Sequence, residues 1–200
     1  MSSLACAFFS YLIGSFPTAF LLGKRLKKID IRQAGTGNVG ALNAYEVTGS
    51  ATFGLIVATV DISKGVAATL LFGGGMIFSN NLGQASMMLA AMSVVTGHNY
   101  SVFIGFKGGR GLATAAGAFL VAQPLAIALF LAVYFLLRLL RAQLYLSSVI
   151  GILTGFVPVF WKLAPTFVSG LLASILLFVL LSKQISPLKN EIRNQTVHAH

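Results

Sequence analysis

Residues 51–74 read ATFGLIVATVDISKGVAATLLFGG, an apolar run interrupted only by Asp61 and Lys64. At about 1.5 Å per residue, a helix of this length crosses a hydrocarbon core of about 30 Å. Comparable runs recur at 4–23, 84–104, 111–123, 125–140, 144–161 and 165–182. The expected fold is therefore an all-α integral membrane protein with about seven transmembrane helices. Composition agrees, because 56% hydrophobic against 9% charged residues cannot clothe a water-facing surface. The run at 111–123 reaches only about 20 Å and reads as a thin, tilted span or as half of a re-entrant hairpin turning at Pro124.

Fourteen Lys and Arg face four acids, Asp30, Glu46, Asp61 and Glu191, for a net charge of +10. A basic chain can signal nucleic acid, but no basic stripe interleaved with aromatics lies outside the apolar runs, so no nucleic-acid partner is expected. The cations instead report topology. With an external N-terminus, the cytoplasmic segments 24–50, 105–110, 138–143 and 183–200 hold Lys24, Arg25, Lys27, Lys28, Arg32, Lys107, Arg110, Arg138, Arg141, Lys183, Lys189 and Arg193. That asymmetry selects an external N-terminus and a cytoplasmic C-terminus. The first run has no basic residue before it and reads as a retained span, not a cleaved signal. Cys6 is the single cysteine, so neither an intrachain disulfide nor a metal site is expected, and no cofactor is implied. Without a fixed-period repeat or a linker, residues 1–200 are taken as one membrane domain with a short polar cytoplasmic tail from about 183.

The polar chemistry gathers on the cytoplasmic side. Gly35, Gly37 and Gly40 spell G-x-G-x-x-G, but no βαβ unit surrounds them, so a dinucleotide site is excluded. Glycines beside Thr36, Asn38 and Asn43 can instead curve backbone N–H groups around a phosphate. A second glycine-rich loop, at 97–111, places Lys107 and Arg110 around Gly108 and Gly109 at the start of a helix, where cations, N–H groups and a helix N-terminus favour an anion. His98 reads either as a hydrogen-bonded structural residue or as a general base, and Ser147 and Ser148 at a helix start as caps or ligand donors. Asp61 and Lys64 share one helical face deep in a span, as a self-neutralising pair or as support for the phosphate site. Gly14, Gly23, Gly54 and Gly65 read as points of close helix packing.

In order and spacing, Gly35-Thr36-Gly37-Asn38-Val39-Gly40-Ala41-Leu42-Asn43, Asp61-Ile62-Ser63-Lys64-Gly65, Gly97-His98 and Phe106-Lys107-Gly108-Gly109-Arg110-Gly111-Leu112-Ala113-Thr114 resemble the bacterial acyl-phosphate-dependent glycerol-3-phosphate acyltransferases, the PlsY family. The resemblance covers nearly the whole chain. It implies a seven-helix enzyme of the bacterial inner membrane with a cytoplasmic active site. The implied reaction moves a fatty acyl group from acyl phosphate to the 1-hydroxyl of sn-glycerol 3-phosphate, giving lysophosphatidic acid and phosphate.

By the same resemblance the catalytic set is Lys107, Thr36, Asn38 and His98. Gly35, Gly37, Gly40, Asn43, Gly108, Gly109, Arg110, Ser147 and Lys183 would bind substrate phosphate, with Asp61 and Lys64 in support. The implied partners are the two substrates, membrane lipid and other enzymes of phospholipid synthesis. Three departures stand out: Glu46 occupies the place of a phosphate-binding Arg, Ser101 that of a Pro, and Ser182-Lys183-Gln184-Ile185-Ser186-Pro187 that of a His- and Arg-containing stretch. Two other classes are weighed against the enzyme. One is a homologue that binds an anionic phosphate or lipid without turnover. The other is a small-anion transporter, disfavoured because the motifs cluster on one face and no repeated halves surround a midplane site.

Overall fold

The computed structural model describes residues 3–74, 83–163 and 167–198. Among these residues the regular structure is helical throughout. The chain divides into two compact units at Ala122–Gln123.

The first unit contains α1 (Ser3–Ser15), α2 (Thr18–Leu22), α3 (Ala41–Thr48), α4 (Ala51–Ala68), α5 (Gln84–Asn99) and α6 (Leu112–Ala122). Between α1 and α2 the chain breaks at Phe16-Pro17, because proline has no N–H for the helical ladder and holds its predecessor out of the α region. A π-helical turn, Gly23–Lys27, follows α2, and another, Thr69–Gly73, follows α4.

Small residues make the helix seams. A Cβ on Gly14 would fall 2.9 Å from Val94 Cα, and one on Gly65 would fall 2.8 Å from the Ala118 nitrogen, so α1–α5 and α4–α6 approach backbone to backbone. Gly54 does the same for α4 against α3, where a Cβ would meet the Ala41 carbonyl oxygen at 3.1 Å. Beneath the glycine-rich motifs lies a core of Ala19, Ile31, Val39, Ala44, Phe53, Val57 and Ile104, drawn from both glycine-rich loops and the helices that flank them.

The second unit contains α7 (Pro124–Leu139), α8 (Leu144–Leu163) and α9 (Phe167–His198). Proline at the first position of α7 starts that helix without losing a bond. The Glu191 carboxylate accepts from the Leu144 and Tyr145 amides, at 2.8 and 2.9 Å, and so caps the start of α8. The polar stretch from 183, read from sequence as a tail, continues α9 as helix to His198.

Among the described residues, five helical stretches are long and apolar enough to cross a membrane: Ser3–Lys27, Ala51–Gly73, Gln84–Ile104, Leu144–Trp161 and Phe167–Arg193. They coincide with five of the expected runs; residues 165 and 166 of the last run lie outside the described residues. The other two runs appear as the shorter apolar helices Leu112–Ala122 and Pro124–Leu139.

Candidate active site

The first glycine-rich loop is built around one side chain. Asn43 is 1% exposed, and its Oδ1 accepts from the Thr36 amide at 2.8 Å. Its Nδ2 donates to the carbonyls of Ile31, Ala34 and Asn38 at 3.2, 3.1 and 3.0 Å. The loop can wrap this amide because Gly35 and Gly37 take φ of +57° and +70°, which side chains with a Cβ rarely adopt. Sequence reasoning gave Asn43 to substrate phosphate; the geometry makes it the staple that shapes the loop. Thr36 is left exposed at the turn, Asn38 half-buried beside it, and buried Gly40 starts α3. Upstream, Asp30 accepts from the Arg32 amide at 3.1 Å and pairs with its guanidinium at 2.7 Å. That guanidinium holds the Asp30 carboxyl well below the usual range, at about 2.

The second loop is pinned to α1 and α5. The Tyr11 hydroxyl donates to the Tyr100 carbonyl at 2.7 Å, and the Ser101 hydroxyl donates to the Ser15 carbonyl. Ser101 has φ of −68°, a value that proline also adopts, so the departure from the family's Pro keeps the backbone and adds a bond to α1. The Gly108 and Gly109 amides donate to the Asn99 and His98 carbonyls at 3.2 and 2.9 Å. These two amides are thus engaged within the fold. Glycine is needed here for contact: a Cβ on Gly108 would fall 2.8 Å from the Asn99 carbonyl carbon, and one on Gly109 would fall 2.8 Å from the Val39 carbonyl oxygen and run into the His98 ring. The second loop thus lies directly on the first at Val39. Lys107 is exposed at its tip and Arg110 half-buried, at the approach to α6.

Under this junction sits a buried polar cluster. Lys64 Nζ lies 2.9 Å from Asp61 Oδ1, 2.8 Å from His98 Nδ1 and 3.2 Å from the Phe16 carbonyl oxygen. Thr18 Oγ1 donates to Asp61 Oδ1 at 3.4 Å. The Pro17 break supplies two of these partners, since it turns the Phe16 carbonyl and Thr18 toward α4. The pair is thus self-neutralising and also contacts His98. A narrow cleft, partly open to solvent, is lined here by Phe16, Thr18, Val39, His98, Ser101 and Gly108 among others.

Ser147 and Lys183 belong to the second unit. Ser147 is fully buried and donates from Oγ to the Gln143 carbonyl at 2.7 Å, while Lys183 is half-buried. Sequence reasoning offered Ser147 and Ser148 as caps; Ser148 also donates within its helix, to Leu144, and Glu191 does the capping. Glu46 is exposed on α3. Sequence reasoning missed Pro17, Thr18 and Glu191, of which the Phe-Pro step inside an apolar run was a readable signal.

A multi-helix integral membrane protein with paired glycine-rich loops over an intramembrane Asp–Lys–His cluster is what the fold and site define. The chain belongs to the glycerol-3-phosphate acyltransferase family, whose model matches residues 4–191. Glycerol-3-phosphate acyltransferase 2 of Moorella thermoacetica is 48% identical over 118 residues, 59% of this chain and 57% of that protein. The chain thus matches little more than half the length of that relative. The crystal structure of PlsY, an integral membrane glycerol 3-phosphate acyltransferase, in its glycerol 3-phosphate form superposes with a TM-score of 0.84 at 26% identity, covering 97% of this chain and 94% of that one. The lysophosphatidic acid form gives 0.81 at 25% identity, covering 97% and 93%.

Proposed function

We propose that this protein transfers a fatty acyl group from an acyl phosphate to the 1-hydroxyl of sn-glycerol 3-phosphate, giving lysophosphatidic acid and inorganic phosphate. It works in the bacterial inner membrane as a single seven-span domain with an external N-terminus, a cytoplasmic C-terminus and a cytoplasmic active site. The observation that carries this reading is the seating of the second glycine-rich loop on the first, at Val39 and Gly109, above His98. Acyl-phosphate chemistry suits such a site. The donor is already activated, so the protein mainly aligns two phosphorylated substrates and stabilises the oxyanion that forms as the hydroxyl oxygen adds to the acyl carbon. The acyl C–O bond to phosphate then breaks, and the departing phosphate takes the hydroxyl proton.

In this reading Lys107 holds substrate phosphate, Arg110 adds charge, and Thr36 and Asn38 donate from the first loop. Asn43, Gly35, Gly37 and Gly40 hold that loop's shape, and Gly108 and Gly109 seat the second one. The protein's partners are its substrates, membrane lipid and neighbouring enzymes of phospholipid synthesis. The test is Lys107→Ala. Because Lys107 is exposed, the variant should insert and melt like the wild type yet lose acyltransfer by at least a hundredfold. Retained turnover in an intact variant would remove Lys107 from the site.

A further inference from the structure

The contacts of Lys64 fix more than its own place. An ammonium has three N–H donors and no acceptor, and Lys64 Nζ has three acceptors around it: Asp61 Oδ1 at 2.9 Å, His98 Nδ1 at 2.8 Å and the Phe16 carbonyl oxygen at 3.2 Å. Three acceptors match the three N–H groups of an ammonium, an arrangement in which Lys64 donates to His98 Nδ1. A nitrogen that accepts carries no proton. The carboxylate does not orient the ring directly, because Asp61 Oδ1 lies 3.7 Å from Nδ1, beyond hydrogen-bond length. The opposite edge of the ring, Nε2, lies against Gly109 where the two loops meet, and His98 is among the residues lining the cleft.

We infer that Asp61 and Lys64 are positioning residues that lock His98 as the neutral Nε2–H tautomer, so that it meets the cleft as a hydrogen-bond donor and not as a general base. This rests on the acyltransferase reading and deepens it. A protein base would have to take the hydroxyl proton at Nε2, whose lone pair this tautomer lacks. A fixed N–H at the loop junction instead steadies an anionic oxygen, such as a substrate phosphate or the acyl oxyanion. The role is unlike the serine-hydrolase arrangement, where a carboxylate accepts from Nδ1–H and leaves Nε2 as the base. Here a cation occupies the carboxylate's place, and the ring's polarity is reversed.

The tautomer is read directly by ¹⁵N NMR of the whole protein in lipid nanodiscs at neutral pH, with His98 assigned by its loss in His98→Gln. An unprotonated Nδ1 with a protonated Nε2 is expected; an Nδ1–H or doubly protonated ring would overturn the inference. In Lys64→Met the same resonances should move toward mixed tautomers, and an unchanged spectrum would remove Lys64 from the role. Activity gives an independent arm. The side-chain amide of glutamine can donate near the Nε2 position but cannot act as a base, so His98→Gln should keep at least a tenth of wild-type kcat while His98→Ala falls a hundredfold. Equal losses in both would overturn the donor assignment. Should the wild type show no acyltransfer at all, the failure lies with the functional reading, and the NMR result still decides the tautomer.

Discussion

Replacing Lys64 by methionine keeps most of the side-chain volume and removes the ammonium. Asp61 is 2% exposed, and the variant leaves its carboxylate with the Thr18 hydroxyl at 3.4 Å and His98 Nδ1 at 3.7 Å. Breaking a buried ion pair by removing one partner costs about 3–5 kcal/mol, most of it the penalty of the charge left behind. His98 Nδ1 and the Phe16 carbonyl also lose a donor, at about 1 kcal/mol each, although some of this overlaps with the first figure. The sum is a large share of the roughly 5–15 kcal/mol that holds a typical domain folded. Equilibrium denaturation in mixed micelles, followed by circular dichroism, should therefore show Lys64→Met destabilised by about 4 kcal/mol. Asp61→Asn combined with Lys64→Met should recover about 2 kcal/mol of that, since no charge is then stranded. A single variant within about 1 kcal/mol of wild type, or a double variant that loses the sum of two singles, would refute the coupled cluster.

Gly109→Ala drives a methyl into the His98 ring and the Val39 carbonyl oxygen, and kcat/KM should fall at least a hundredfold; Gly105→Ala has open space and only its φ of +66° against it, so it should cost about 1–2 kcal/mol in a melt and leave most activity. Glu46→Arg places on α3 the cation that the family resemblance implies, and KM for glycerol 3-phosphate should fall about tenfold; a higher KM would show that Glu46 serves this chain's acceptor. For Asp30, a folded-state value of about 2 against 3.8 means that its contribution is fully present above 3.8 and is lost as pH falls toward 2. Thermal melts of wild type and Asp30→Asn should therefore differ at neutral pH and converge as pH falls from about 4 to about 2.

The membrane class was legible because a helix that crosses lipid must be apolar along its whole length, a signal that survives in one dimension. The five long stretches coincide with runs read from sequence for that reason. The site was legible only in part. Asp61 and Lys64 are three apart on one helix, so their pairing follows from local geometry, but the His98 contact joins α4 to α5 and has no local trace. Pro17 was visible, yet that its break would hand the Phe16 carbonyl to Lys64 depends on α4 lying alongside. Asn43 looked like a ligand residue because Asn and Gly together suit an anion equally well. Which carbonyls its amide would find is decided by how the chain folds back over Ile31 to Asn38. Glu191 reaches α8 from 47 residues away, so only the packed α8–α9 pair reveals a cap. The glycines at 108 and 109 suggested an anion site in the sequence, but their close approach to His98 and Asn99 of α5 has no local trace.

The most direct measurement is phosphate release from palmitoyl phosphate by the purified protein in lipid, with and without glycerol 3-phosphate, with the lipid product followed alongside. The expected result is release that depends on glycerol 3-phosphate and matches lysophosphatidic acid formed one for one. An intact, inserted preparation that releases no phosphate with glycerol 3-phosphate present, or releases it without forming that lipid, would contradict the assignment.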